Sequence, residues 1–135
     1  SKNFSFNPLI VIKNYKLRVQ SDIIDIDRLF PRDAQMMLYR ILQEALTNIG
    51  KHAQAKNVSV VVQKDNHSVS LLVEDDGKGF NANQAFIKEG METGLGLRTI
   101  NERARLLGGS LDLWSQEGKG TRITLTLPIK KRISR

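Results

Sequence analysis

The sequence contains no cysteine, and this absence excludes disulfide bonds and thiolate metal sites. It also lacks any apolar run near the roughly 20 residues that a membrane-spanning helix requires. Aromatic residues make up only 6% of the chain, and there are three prolines. With 135 residues, 40% of them apolar and 26% charged, the chain has the composition of one compact globular domain.

The start of the chain has neither an initiator methionine nor a signal-peptide pattern. We therefore expect a fragment of a longer protein, with any membrane helices of that protein outside this piece. We expect three parts, which are a lead-in from an upstream element over residues 1–15, one catalytic domain over residues 16–129 and a basic tail over residues 130–135.

The net charge of +7 raises the question of nucleic-acid binding. Four of the positive charges come from the short tail, at Lys130, Lys131, Arg132 and Arg135. Much of the remaining basic charge is spread among Asp and Glu, which is typical of a solvated surface. A field that steers a polyanionic ligand explains the same excess.

Two segments have helical periodicity. The longer one runs from Ala34 to Ala53, behind Pro31 in the first-turn position that proline favours, and Gly50 interrupts it at a cost of up to about 1 kcal/mol. Its apolar positions are Leu38, Ile41, Leu42, Ala45, Leu46, Ile49 and Ala53. The shorter one lies before Gly108-Gly109, a typical left-handed helix end, and its apolar positions are Leu97, Ile100, Ala104 and Leu107.

Alternating apolar residues predict strands on either side of these helices. They cover residues 58–62 and 69–73, joined by a turn at Asp65-Asn66, and residues 111–114 and 123–127, joined by a glycine turn. A further strand begins near residues 16–19. The order predicts an α+β domain, a two-layer sandwich with helices on one face of a mixed, mostly antiparallel sheet.

Polar residues flank the apolar stripe of the long helix. At about 100° per residue they share one arc of roughly 100°, and they are Glu44, Asn48, Lys51 and His52. A carboxylate, an amide oxygen and a cation in that arc would suit Mg²⁺ with a polyphosphate, because Mg²⁺ keeps water and phosphate oxygens among its ligands. A solvated helix edge explains the spacing as well, and spacing alone favours it.

A carboxylate followed by glycines ends one of the predicted strands. Asp75 precedes Gly77 and Gly79, which allow a sharp turn under a flat ligand, and the carboxylate can accept a hydrogen bond from an amine such as that of adenine. Acidic residues beside glycine are also common in ordinary turns.

Two more glycine segments follow. Residues 94–97, with the sequence GLGL, open the second helix, whose free N–H groups would attract phosphate, although the segment is neither a Walker loop nor a dinucleotide fingerprint. Residues 118–121, with the sequence GKGT, fit a hairpin turn. Each segment alone is a weak signal.

Taken in order, these segments resemble the motifs of the ATPase domain of sensor histidine kinases, in the gyrase, Hsp90, histidine kinase and MutL superfamily. The subfamily of the nitrate sensors and the lipid-fluidity sensor is the most similar. The matching segments are residues 38–48 and 51–53 for the N box, 75–80 for the G1 box, 94–97 and 102–109 for the G2 region, and 118–121 for the last glycine box. The similarity covers about residues 16–129. Phe86 is present, but no separate phenylalanine-rich box.

The resemblance implies a Bergerat-type fold with ATP and Mg²⁺ as ligands. Asn48 would ligate Mg²⁺, and Glu44 would lie beside the ion and its waters, where hydrolysing relatives have their base. Lys51 and His52 would face the phosphates.

The glycine boxes would hold the rest of the nucleotide. Asp75 would accept the adenine amine, Thr121 would assist through a water, and Gly77 and Gly79 would give the base room. The phosphates would be cradled by Gly94, Leu95, Gly96 and Leu97. Residues 81–93 would form the ATP lid.

The implied function is transfer of the γ-phosphoryl group of Mg-ATP to a histidine on a separate dimerisation domain that this chain lacks. Neither His52, in the N box, nor His67, in an exposed hairpin turn, is expected to accept the phosphoryl group. The implied partners are the dimerisation and phosphoacceptor domain of the same parent protein and a downstream response regulator, with no nucleic acid.

We further expect a homodimeric parent and a monomeric isolated domain with little autophosphorylation. The expected location is cytoplasmic, as in the cytosolic part of a membrane-anchored sensor.

Three alternatives remain open. One is another activity within the superfamily, such as a gyrase-like or Hsp90-like ATPase or a serine kinase of the anti-sigma type. The second is a nucleotide-sensing or protein-docking module without chemistry. The third is a basic nucleic-acid binder, whose affinity would fall steeply with salt.

Overall fold

The computed structural model describes residues 15–26, 28–81 and 97–129. Two α-helices, one π-helical turn and five strands lie within these ranges. In chain order they are β1 (Arg18–Ile23), α1 (Arg32–Asn48), the π turn (Ile49–Ala53), β2 (Asn57–Lys64), β3 (Ser68–Asp75), α2 (Leu97–Leu106), β4 (Ser110–Gln116) and β5 (Gly120–Pro128).

The strands form one five-stranded sheet in the order β1-β2-β3-β5-β4. The β1–β2 pair is parallel, while β2–β3, β3–β5 and β4–β5 are antiparallel. Long chain segments with α1 separate β1 from β2, as a parallel connection requires. The predicted mixed, mostly antiparallel α+β sandwich is confirmed.

The core lies between the two helices and one face of the sheet. Residues of β2, β3 and β5 alternate between buried and more exposed, because successive strand side chains point to opposite faces. The buried set includes Leu38, Ile41, Leu42, Ala45 and Leu46 of α1, Ile100 and Ala104 of α2, and Val58, Val60, Val62, Val69, Leu71, Val73, Leu125 and Leu127 of the sheet. The apolar stripe predicted for the first helix is therefore in the core, as are Ile100 and Ala104 of the second helix, and Leu107 packs against it.

Helix α1 begins at Arg32, one residue after the proline that the sequence pattern places in the first turn. Pro31 has an extended backbone with φ −65° and ψ 162°, so it is the N-cap residue and not part of the first turn. Its carbonyl accepts the N–H of Gln35 at 3.0 Å, and the Gln35 side-chain amide donates to the Phe30 carbonyl at 2.9 Å. Proline fits this position because its missing N–H would have had no intrahelical partner.

The end of the long helix differs from the prediction of one regular α-helix through Ala53. From Ile49 to Ala53 the chain is π-helical, and the turn ends at Gln54 in the left-handed conformation with φ 53°. A Cβ at Gly50 would lie 2.5 Å from Cδ2 of Tyr15. Gly50 therefore makes room for the Tyr15 ring, which offsets its low helix propensity.

The connections follow the predicted turn chemistry. In the β2–β3 hairpin, Oδ1 of Asp65 accepts the backbone N–H groups of His67 and Ser68 at 2.7 and 2.8 Å. His67 is exposed there, as predicted. Helix α2 ends in a Schellman arrangement, in which Gly108 N–H donates to the Arg105 carbonyl and Gly109 N–H to the Ala104 carbonyl, each at 2.9 Å.

The face of the sheet opposite the helices carries a polar cross-strand row. The Arg122 guanidinium contacts the Glu74 carboxylate at 2.7 Å and lies 5.5 Å from the ring centroid of Trp114. Within the described ranges, no helix has the length and apolar character needed to cross a membrane.

Candidate functional site

The helix-facing side of the sheet ends in a row of mostly polar residues. Strand pairing places Val58 opposite Asp75, Asp75 opposite Thr121, and Thr121 opposite Ser115. Two residues further into the sheet, the same face carries Val60, Val73, Ile123 and Leu113 in the adjacent row. At this end of the strands, the apolar core is therefore followed by a carboxylate and two hydroxyl groups.

Asp75 is the most unusual member of this row, because its carboxylate is buried, with the residue only 5% exposed. Burial raises the pKa of Asp75, although the backbone N–H of Gly77, which donates to Oδ1 at 2.8 Å, favours the charged form. Within the described part of the chain, no Lys, Arg or His forms a salt bridge with it. A buried carboxylate without a cation is a strong acceptor for a ligand that brings its own donor.

The neighbouring aspartate has a different task. Asp76 is exposed, and its carboxylate accepts the backbone N–H groups of Lys56 and Asn57 at 2.8 and 2.9 Å and the Asn57 side-chain amide at 2.7 Å. These hydrogen bonds, led by the backbone N–H of Asn57, lower the pKa of Asp76. Asp76 thus ties the start of β2 to the end of β3 and leaves Asp75 as the candidate ligand residue.

Backbone hydrogen bonds join three motif segments that are distant in sequence. Lys78 N–H donates to the Ala53 carbonyl at the end of the π turn, and Gly118 N–H of the last hairpin donates to the Lys78 carbonyl, each at 2.7 Å. The structure therefore brings the N box, the G1 turn and the last glycine box together.

The glycines of these turns are required by close contacts between backbone segments. A Cβ on Gly77 would lie 2.1 Å from the Ala53 carbonyl oxygen, and one on Gly79, which has φ +62°, would lie 2.0 Å from that of Gln116. Gly120 combines φ +103° with a Cβ position 2.1 Å from the Asp75 carbonyl oxygen. Because these clashes are with backbone, a side chain has no room without moving a whole segment.

The four polar residues predicted on the long helix are divided by the π turn. Glu44 and Asn48 are half-buried near the end of α1, one helical turn apart, whereas Lys51 and His52 are exposed on the π turn. The predicted single arc assumed α-helical spacing through His52, whereas the backbone after Asn48 is π-helical. π turns inside helices are frequent at functional sites.

Glu44 has a partner that the sequence did not reveal. Its Oε2 accepts a hydrogen bond from Nη1 of Arg103 on α2 at 2.8 Å, and both side chains are about 30% exposed, at 27% and 30%. This ion pair connects the two helices on the side that carries Asn48.

Several predicted residues lie outside the described part of the chain. They are Gly94, Leu95 and Gly96, the basic tail, and all of the lid predicted over residues 81–93 except Asn81, with Phe86 among them. Leu97 is the first residue of α2. Sequence reasoning also missed Ser115, whose hydroxyl contacts Thr121, Gly120 and Phe80. No motif includes it, but its position opposite Thr121 follows once the last hairpin is aligned.

A known protein family matches the part of the chain that contains these motifs. Residues 33–131 match the family model described as histidine kinase-, DNA gyrase B-, and HSP90-like ATPase. The chain belongs to this ATPase family. Membership implies that the chain uses ATP.

Curated relatives in this family include sensor kinases. The chain is 40% identical over 92 residues to the sensor histidine kinase LiaS of Bacillus subtilis, which covers 68% of this chain and 24% of LiaS. It is 36% identical over 117 residues to the oxygen sensor histidine kinase NreB of Staphylococcus carnosus, covering 87% of this chain and 33% of NreB. The chain thus spans a third or less of the length of these relatives.

Solved structures agree on the fold. The blue-light activated histidine kinase EL346 of Erythrobacter litoralis matches 90% of this chain and 39% of its own chain with a TM-score of 0.75 at 22% identity. The histidine kinase AdeS of Acinetobacter baumannii matches 90% of this chain and 59% of its own with a TM-score of 0.72 at 18% identity. At these identities the likeness supports the ATPase-family fold alone.

Proposed function

We propose that this chain is the catalytic, ATP-binding domain of a two-component sensor histidine kinase, and that it transfers the γ-phosphoryl group of ATP to a histidine on a separate dimerisation domain. The observation that carries the proposal is the buried Asp75 carboxylate, which has no cationic partner in the described ranges and ends the core row beside Thr121. Such a group accepts a hydrogen bond from the exocyclic amine of adenine at little further desolvation cost.

At the adenine end, Asp75 and Thr121 would contact the edge of the base, and the turn through Gly77 and Gly79 would lie against its plane. The hydrogen bond from Gly77 N–H to Asp75 Oδ1 supports this role, because it fixes the orientation of the carboxylate. Backbone hydrogen bonds to Ala53 and to the last hairpin fix the position of this glycine turn. The surface that contacts adenine, called the adenine wall below, would therefore already be in place before the nucleotide binds.

At the phosphate end, Asn48 would hold Mg²⁺ through its amide oxygen. The donor chemistry fits, since Asn48 is half-buried, and a half-buried amide leaves room for the water and phosphate oxygens that Mg²⁺ retains. Within the described residues, no group of three or more His, Cys, Asp or Glu is placed to hold a metal, so the ion would arrive with the nucleotide. When bound, Mg²⁺ supplies charge neutralisation of the phosphates.

Cations and backbone N–H groups would complete the phosphate site. Lys51 and His52 are exposed on the π turn and free to reach a polyphosphate from the solvent side. Residues 94–96 and Leu97 precede and open α2, and N–H groups at a helix start attract phosphate oxygens. Phosphoryl transfer needs chiefly positioning and charge stabilisation from the protein, which these groups provide.

The Glu44–Arg103 ion pair fixes the orientation of the Glu44 carboxylate. Its Oε2 accepts a hydrogen bond from the Arg103 guanidinium at 2.8 Å, and Glu44 would orient the waters beside the metal. The histidine nucleophile of the acceptor domain needs no carboxylate base, because a neutral imidazole attacks through its own lone pair.

The whole protein would contain a dimerisation and phosphoacceptor domain and would pass the phosphoryl group to a response regulator. The names and lengths of LiaS and NreB support this, because both are sensor histidine kinases of which the chain spans a third or less. We propose a homodimeric parent with this domain on the cytoplasmic side.

A labelled-phosphate assay tests the proposal. The chain is incubated with γ-labelled ATP, Mg²⁺ and the proposed dimerisation and phosphoacceptor domain of the parent protein. Acid-labile label should reach the acceptor domain only when the chain is present, and Asp75→Asn should reduce it. Release of free phosphate without a labelled acceptor would contradict the proposal and favour an ATPase.

A further inference from the structure

The Ser115 hydroxyl contacts three groups, each at 2.9 Å. It lies within hydrogen-bond distance of the Phe80 backbone N–H, the Gly120 carbonyl oxygen and Oγ1 of Thr121. These contacts join the G1 turn, the last hairpin and the first residues of β5. A serine hydroxyl has one proton to donate and two lone pairs to accept with, so its capacity is filled.

The number of available protons determines the donor and the acceptor in each of these three hydrogen bonds. Phe80 N–H can only donate, and the Gly120 carbonyl can only accept, so the single Ser115 proton must point to Gly120. If it pointed to Thr121 instead, the Ser115 and Gly120 oxygens would face each other at 2.9 Å with no proton between them. The proton between the two hydroxyls must therefore come from Thr121.

This arrangement determines what Thr121 offers to a ligand. With its proton committed to Ser115, Oγ1 of Thr121 has only lone pairs left. Its cross-strand neighbour on the same face is Asp75, whose carboxylate likewise only accepts when ionised. The polar end of the row thus presents acceptors alone.

We propose that Ser115 is a positioning residue that sets base specificity. By holding the Thr121 proton away from the ligand, it makes the wall select a purine with a 6-amino group over one with a 6-oxo group. The inference rests on the proposed adenine site. An amine at position 6 donates hydrogen bonds to this wall, whereas a carbonyl oxygen would face buried acceptors without a proton.

The matched ligands are ADP and IDP, which differ in the purine only at the 6-position and the adjoining ring nitrogen. Dissociation constants for both are measured with the full chain, Ser115→Ala, Thr121→Val and the double variant. In Ser115→Ala, the Thr121 hydroxyl can turn and donate to a 6-oxo group. We expect the preference for ADP over IDP to fall roughly tenfold, the worth of about one buried hydrogen bond.

Thr121→Val removes the hydroxyl and should also reduce the preference. In that background, Ser115→Ala should cause no further change in the ADP-to-IDP ratio. A merely structural Ser115 would weaken both nucleotides equally in either background, so an unchanged ratio in Ser115→Ala overturns the inference. If Ser115→Ala does not fold, an unchanged ratio in Thr121→Val overturns it instead.

The same titrations test the proposed adenine site and the role of Ser115 separately. If the unmodified, folded chain binds neither nucleotide, the proposed adenine site is wrong and the inference falls with it. If the chain binds ADP but the variants keep its preference over IDP, only the role of Ser115 is wrong.

Discussion

At the scale of single residues, adjacent aspartates in one turn have opposite environments. Asp75 is buried and its pKa is raised by that burial, whereas Asp76 is exposed and its pKa is lowered by donated hydrogen bonds. The buried carboxylate costs folding energy, which is typical of groups kept for ligand binding and not for stability.

Asp75→Asn should increase the free energy of unfolding at pH 7, because it removes a buried charge while an amide oxygen can still accept from Gly77 N–H. A raised folded-state pKa means that protonation stabilises the fold, and this contribution is lost as the pH rises through that pKa. The gain should therefore shrink as the pH falls through the same value. Urea unfolding at several pH values measures it.

Asp76→Asn is the control, for which the opposite change in the free energy of unfolding is expected. Its lowered pKa means that the ionised form stabilises the fold at neutral pH, and that this contribution is lost as the pH falls through the folded-state value. The variant should therefore be less stable than the parent at pH 7. A loss of stability in Asp75→Asn at pH 7 would contradict the interpretation of Asp75.

Two glycines of the last hairpin give a matched comparison of backbone crowding. Gly118 and Gly120 both have positive φ, at +80° and +103°, but a Cβ on Gly118 meets nothing within 4 Å, while one on Gly120 lies 2.1 Å from the Asp75 carbonyl oxygen. Gly118→Ala should cost about 1 kcal/mol from the left-handed backbone. Gly120→Ala should cost at least about 2 kcal/mol more.

Thermal and urea unfolding of these two variants measure the difference. Because Gly120 lies against the backbone of Asp75, we also expect Gly120→Ala to weaken adenine-nucleotide binding while Gly118→Ala does not. Equal losses of stability in both variants would mean that the close contact at Asp75 is not required.

The sequence allowed part of this residue-scale description. The alternation of Val69, Leu71 and Val73 continues to Asp75, so simple period-two counting already puts its carboxylate on the core face. The role of Asp76 could not be predicted, because its partners Lys56 and Asn57 lie just before and at the start of another strand. The same holds for Ser115, which depends on the register of β4 against β5.

At the scale of elements, α1 and α2 are joined by the ion pair between Glu44 and Arg103 beside their apolar contact. Arg103→Met keeps the aliphatic stem and removes the charge, and we expect a loss of about 0.5 to 1 kcal/mol for this partly buried pair. Arg98→Met is the control, since the Arg98–Glu102 pair is 74% and 62% exposed and should contribute at most about 0.3 kcal/mol.

A double-mutant cycle with Glu44→Gln checks whether the loss comes from the pair itself. The coupling between the two positions should account for most of the Arg103→Met effect and should decrease at high salt. A coupling near zero would mean that the two helices are held together by their apolar faces alone.

Helix and strand patterns were predictable because they are local, whereas the π turn and the parallel β1–β2 pair were not. Within the π turn, Gly50 lies against the ring of Tyr15, a contact between residues 35 positions apart. Strand β1 has no fully buried residue, so its sequence does not reveal which partner it pairs with. The Glu44–Arg103 pair likewise requires knowledge of how the helices pack.

At the scale of the whole molecule, motifs that were each a weak signal in isolation lie together at one end of the sheet. Ala53, Lys78 and Gly118 are linked through backbone hydrogen bonds, so the N box, the G1 turn and the last hairpin form one support. Their order along the chain was sufficient to predict the ATPase family, which the match over residues 33–131 establishes. The positions of residues 82–96 stay a prediction.

The central claim is that an adenine nucleotide binds against Asp75 in this support. Calorimetric titration of ADP with Mg²⁺ into the chain tests it, with Asp75→Asn and, as a control that removes an exposed carboxylate from β4, Asp112→Asn. We predict one binding site, a loss of at least about tenfold in affinity for folded Asp75→Asn, and no change for Asp112→Asn. Absence of binding to the unmodified chain, or equal affinities for the chain and Asp75→Asn, would contradict the claim.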